Sequence, residues 1–135
     1  MRPVPAMLCA ALVALAGTAH AACGDALGAG TLVAASPRFD VAFRPDPAPI
    51  AVSKHFALDV VVCAKSGAAA TGLGVDAHMP AHRHGMNYRP SVAARGGDRY
   101  RVEGLLLHMP GAWEFRFDVR TAQGSERVSL GVEIP

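Results

Sequence analysis

Trp113-Glu114-Phe115-Arg116-Phe117-Asp118-Val119-Arg120 puts an apolar side chain at every odd position and a charged one at every even position. A period of two is that of a β-strand, whose successive side chains leave opposite faces, so this stretch reads as a strand with one dry and one wet face. The same alternation runs through Phe39, Val41 and Phe43, through Phe56, Leu58, Val60 and Val62, and through Val128, Leu130, Val132 and Ile134. In the run from Phe56, the apolar Val61 and Cys63 predict that the second face is partly covered as well. Shorter candidates at residues 31–34, 72–79 and 100–109 bring the count to about seven strands. Pro45-Asp46-Pro47, Ser66-Gly67, Pro110-Gly111 and Gln123-Gly124 supply the turns between them. Short strands at this spacing, with no stretch of helical periodicity, predict an all-β fold, an immunoglobulin-like two-sheet sandwich. Pro110-Gly111 suits the centre of a type II turn, so the last three strands are expected to form a meander.

The chain has 135 residues, and residues 1–21 read as an export signal. Arg2 is the basic start, an apolar run extends from Met7 to Leu15, and Ala19-His20-Ala21 offers small residues for cleavage after Ala21. That run is shorter than the roughly 20 apolar residues that cross a bilayer. Residues 22–135 are therefore expected to form a single domain in the periplasm, with no membrane attachment once the signal is cleaved. A content of 51% hydrophobic and 18% charged residues excludes a disordered chain. The formal net charge is only +2, and its signs alternate along the chain, which argues against nucleic acid or an anionic membrane as partner. Of the three cysteines, Cys9 leaves with the signal. Cys23 and Cys63 are expected to pair in an oxidising compartment, with two free thiols as the alternative.

Residues 80–98 form a connection long enough to suggest function, and they border the unusual composition. His78, Met79, His82, His84 and Met86 fall within nine positions, and His108-Met109 ends a later strand. Methionines that only fill a core would be scattered over the strands, whereas Met79, Met86 and Met109 each lie within two residues of a histidine. Imidazole with thioether is a ligand set that favours copper, the soft sulfur selecting Cu(I) and the imidazole holding Cu(I) or Cu(II). Zinc more often takes thiolates, carboxylates or several histidines, and calcium or magnesium needs oxygen ligands, for which residues 80–97 offer no acidic side chain. His82 and His84 lie two apart in an extended segment and can turn toward one point, and Gly85 lets the chain bend to bring in Met86. His78 shares a strand face with Asp76, a possible acceptor for its imidazole proton. Met79 and Met109 read equally as core residues. His78-Met79-Pro80 and His108-Met109-Pro110 each end a strand, and they converge only if those strands finish on one rim.

Met79-Pro80-Ala81-His82-Arg83-His84-Gly85-Met86, and Tyr100-Arg101-Val102-Glu103-Gly104 running into His108-Met109-Pro110-Gly111-Ala112-Trp113-Glu114, resemble the YtkA-like domain family, which is related to the FixH-like proteins. The resemblance covers residues 54–121. It implies a small exported or membrane-tethered β-sandwich and, since some relatives are associated with copper handling or oxidase assembly, a copper role for His82, His84 and Met86. With the signal cleaved, no membrane helix is expected to be retained, which would set the chain apart from FixH-like proteins. The spacing also parallels periplasmic copper chaperones that carry His-Met and His-x-Met pairs.

Two functions follow as expectations. One is a copper-binding or copper-delivery module, a metallochaperone whose partners are a copper ion and another envelope or copper-handling protein. The other is a docking module without metal, in which Arg83, Asn87, Tyr88 and Arg89 form the contact surface. An enzyme is not expected: Ser91 lies near His84, but no acidic residue accompanies them to orient the base.

Overall fold

The computed structural model describes residue 1, residues 21–67 and residues 69–135; the signal expected over residues 1–21 lies almost wholly outside them, with Cys9. Among the described residues no helix is long and apolar enough to cross a membrane. The strands are β1 (Leu32–Ala35), β2 (Phe39–Asp46), β3 (His55–Ala64), β4 (Gly72–Met79), β5 (His84–Gly85), β6 (Ser91–Ala94), β7 (Arg99–Leu106), β8 (Gly111–Thr121) and β9 (Gly124–Ile134). They form two sheets, ordered β1-β2-β3-β7-β6 and β5-β4-β8-β9. Every strand pair is antiparallel. With β2-β3-β7-β6 in the places of A-B-E-D and β4-β8-β9 in those of C-F-G, this is the connectivity of an immunoglobulin-like sandwich.

The alternation in sequence becomes the inside and outside of the sandwich. Trp113, Phe115, Phe117 and Val119 of β8 are buried in the core, where the ring centroid of Phe43 lies 5.4 Å from Phe115 and 4.9 Å from Phe117. Burial of each such side chain contributes on the order of 1.5–3 kcal/mol. Glu114, Arg116, Asp118 and Arg120 keep to the outer face, where Arg127 of β9 donates to Asp118 at 2.8 and 3.0 Å.

Two expectations need correction. The last three strands do not form a meander: β7 belongs to the first sheet, while β8 and β9 pair in the second. Pro110-Gly111 therefore carries the chain from one sheet to the other. Gly111 has φ 123°, and a Cβ placed there would come within 3.0 Å of Met79 Cε. Trp113 pins the crossing, because its Nε1 donates to the Met109 carbonyl at 2.9 Å. That bond takes the place of the tyrosine corner that immunoglobulin domains carry at the same connection. Second, residues 80–98 are not an unstructured loop. They contain a 3-10 turn at Pro80–His82, then β5 and β6, and the count is nine strands among the described residues, not about seven.

The covered outer face of β3 is explained by the residues just after the expected cleavage point. Cys23 is bonded to Cys63, with 40 residues of sequence separation, which fastens a 3-10 turn at Asp25–Leu27 over the first sheet. Closing a loop of this length stabilises the fold by about 3–4 kcal/mol on the chain-entropy account. Gly24 makes the close approach possible: a Cβ there would sit 2.2 Å from that of Ala42.

The seam between β1 and β9 is closed by Glu126, which accepts from the Ser36 hydroxyl and the Arg38 guanidinium. Those two donors, the hydroxyl first, hold the Glu126 carboxyl below its usual range, and the Arg127 hydrogen bonds do the same for Asp118. A depressed carboxylate stabilises the fold above its unfolded pKa of about 4, and that stability is lost as pH falls through the lower folded value. The double variant Glu126→Gln/Asp118→Asn is expected to start less stable at pH 7 and to lose less Tm than the parent between about pH 5 and 2. Equal acid slopes in thermal unfolding would refute this assignment.

Candidate functional site

The ends of β4 and β7 meet on one rim, because β8 runs antiparallel to β4 and is entered from β7 through residues 107–110. Two corners therefore face each other: the turn from β4 into β5, and the crossing from β7 into β8. Pro80 opens the first corner as a 3-10 turn, and Arg83, at φ 54° and ψ 36°, ends it in the left-handed region. That conformation costs a non-glycine residue about 1 kcal/mol. It turns the chain back so that the rings of His82 and His84 stack, 5.7 Å between centroids and 30° between planes.

From the second corner His108 joins them, its ring 5.0 Å from that of His84. Trp113 closes the inner side, edge to face with His84 at 6.1 Å and with His108 at 5.5 Å. The three imidazoles form a row, with exposed His82 at the outer end and half-buried His84 and His108 behind it. His84 Nδ1 lies 3.3 Å from the Gly85 carbonyl. With the proton there, Nε2 keeps its lone pair free. His108 Nδ1 is buried and has no hydrogen-bond partner among the described residues. An unmet polar atom of this kind costs about 1–3 kcal/mol, and such a cost calls for an explanation.

A metal bound by imidazoles at about 2.0 Å sets neighbouring ring centroids roughly 5 Å apart, close to the spacing of this row. The row is not itself a coordination site: among the described residues no group of three His, Cys, Asp or Glu side chains is arranged to hold a metal ion. Coordination of one ion by all three rings therefore requires them to rotate out of their stack and the two ends of the row, His82 and His108, to come together. His82, exposed on a short turn, is the ring freest to do so.

The other sequence candidates separate from the row. His78 faces out of the second sheet, with Nδ1 3.2 Å from the Arg116 guanidinium. Met79 is 2% exposed and belongs to the core. Met86, whose N–H bonds to the Ala77 carbonyl, packs against the core and lines a cleft with Val75, Tyr88 and Val92. Met109 is half-buried beside His108 and gives its carbonyl to Trp113. Tyr88 is 48% exposed, with its ring 5.2 Å from that of His55. Arg83, Asn87 and Arg89 are also exposed. Sequence reasoning missed Trp113 as a wall of the cluster; the signal was its place four residues after Met109, at a sheet crossing mistaken for a hairpin.

No family model matches the chain, and no curated protein matches it. Among solved structures it is similar to a DUF4426 family protein from Pseudomonas aeruginosa PAO1, with a TM-score of 0.53 and 14% identity over 78% of this chain and 94% of that one. At that identity the likeness concerns the fold, a small two-sheet β-sandwich.

Proposed function

We propose that the rim formed by His82, His84 and His108 captures a single metal ion in an exported domain, that the ion is copper, and that the domain binds or delivers it. The observation that carries this reading is the buried, unpartnered Nδ1 of His108, set 5.0 Å ring to ring from His84. A bound cation would satisfy that nitrogen and recover its cost. His82 leads solvent to the inner rings, as an exchangeable site requires. Met109, next to His108 in the chain, is the thioether we assign to this site, and it would bias the site toward Cu(I) while imidazoles alone hold Cu(II). The resemblance to the YtkA-like family points the same way. The bridge between Cys23 and Cys63 suits an oxidising compartment such as the periplasm.

Trp113 is the sole tryptophan of the chain and touches two of the three rings, so it reports occupancy directly. Titration with copper is expected to quench its fluorescence with a break at one equivalent and to raise Tm as RT ln(1 + [L]/Kd). The Met86→Ala variant should titrate like the parent. A fluorescence and Tm that ignore copper would leave the second reading, a docking surface at Arg83, Asn87, Tyr88 and Arg89, which the exposed Tyr88 favours.

A further inference from the structure

The outer face of the first sheet carries a feature the imidazole rim does not use. Arg44, Asp59 and Arg101 form one row across β2, β3 and β7, since Arg44 pairs with Asp59 and Asp59 with Arg101. Arg101 is fully engaged: it donates to Asp59 at 3.0 Å and to Asp46 at 2.9 Å, with Glu103 at 3.5 Å. Arg44 approaches Asp59 only to 3.8 Å. On the hairpin between β6 and β7, Arg95 and Arg99 are exposed, and neither has a carboxylate within ion-pair distance among the described residues.

Between this row, the hairpin and the turn Asp25–Leu27 lies an open cleft of about 410 Å³. Leu27 lines one side, Arg95 and Arg99 line it with Arg44 and Arg101, and Asp59 is its one carboxylate. The apolar wall is held in place by the disulfide and by the close contact of Gly24 with Ala42. With Arg101 neutralised by Asp59, Asp46 and Glu103, and Arg44 only loosely held by Asp59, the positive surplus of the cleft comes from Arg95 and Arg99, and a guanidinium fork matches two oxygens of a carboxylate or phosphate. A fixed wall on one side lowers the local dielectric and strengthens that attraction.

We infer that this cleft binds a small oxyanion with at least two negative charges, gripped by Arg95 and Arg99 and closed by Arg44, while Arg101 is held rigid by its own carboxylates. The ligand class is a polycarboxylate or a phosphate compound with a compact apolar part to lie against Leu27. The test is calorimetric titration of copper-free protein with citrate and, separately, with inorganic phosphate, at constant ionic strength set with chloride. One or both anions should bind at one per chain, and the one that binds more tightly identifies the oxygen chemistry. Affinity should fall at least tenfold in Arg95→Gln/Arg99→Gln, and again in Arg44→Gln, with Tm without ligand and copper binding unchanged. No binding of either anion to the parent, or equal affinity in the variants, overturns the inference. The cleft shares no residue with the imidazole row, so its failure and the failure of the copper reading are separate results.

Discussion

Replacing His84 by alanine is expected to weaken copper binding by about 100-fold or more, with little change in folding. His84 stands in the middle of the row, 5.7 Å from His82 and 5.0 Å from His108, so its loss separates the remaining rings. Loss even of groups that only orient a metal's ligands costs 10–100-fold in affinity, and removal of a central ligand should cost no less. Stability should change little because His84 sits half-exposed on a two-residue strand and its one side-chain hydrogen bond, to the Gly85 carbonyl at 3.3 Å, is long, so that only its ring contacts with His82, His108 and Trp113 are lost. His108→Ala is expected to match it in affinity while relieving the buried Nδ1, so its Tm without metal should fall less than its loss of packing implies. His78→Ala should bind copper as the parent does, since its ring faces Arg116 on the outside of the second sheet. Copper titrations followed by Trp113 fluorescence measure all three; an affinity in His84→Ala equal to the parent's would remove the row as the site. Because only neutral imidazole coordinates metal, affinity should also fall with pH through the histidine range, and Cu(I) bound partly through a thioether should persist further into acid than Cu(II).

The largest loss of stability is expected from Trp113→Ala, about 3–5 kcal/mol by comparison with other truncations of buried aromatic side chains. Trp113 is 1% exposed, at the start of β8 where the chain has just crossed between sheets. Its removal opens a cavity and also strands the Met109 carbonyl, which loses its donor. For a domain of this size the drop in Tm should exceed about 10 °C. Trp113→Phe fills most of the volume without restoring the hydrogen bond, so it should cost roughly 1–3 kcal/mol. Both variants remove the wall against which His84 and His108 rest, and copper affinity measured by calorimetry should fall even where folding survives. Thermal unfolding of Trp113→Ala within a few degrees of the parent would show that the crossing is held by something else.

The long strands could be read from the chain because one face of each is buried, and the period of two then shows directly in β2, β8 and β9. What could not be read was anything decided by a partner far along the sequence. Pro110-Gly111 has the same turn chemistry whether the next strand folds back on its neighbour or crosses to the facing sheet. The choice depends on where β7 finds its pairing partners, β3 and β6. Strands β5 and β6 escaped because a two-residue pair containing Gly85, and Ser91-Val92-Ala93-Ala94 at a sheet edge, carry little alternation or β propensity. At the site, the parity of β4 already sent His78 outward with Asp76, and the convergence of the two His-Met-Pro ends required only that both strands finish on one rim. The fate of the methionines was beyond parity: Met79 became core and Met86 fell into the seam beside Val92 because of what packs against them. The tripeptide echo therefore brings together one histidine from each corner region, His84 and His108, and not the tripeptides themselves.

X-ray absorption of the copper-loaded protein is the most direct test of a shared imidazole centre. The account predicts a first shell dominated by imidazole nitrogen, with the multiple-scattering signature of two to three rings, and a single sulfur contribution that disappears in Met109→Ala. A shell of oxygen and backbone nitrogen without imidazole scattering, or an unchanged spectrum in the His84→Ala/His108→Ala variant, would contradict it.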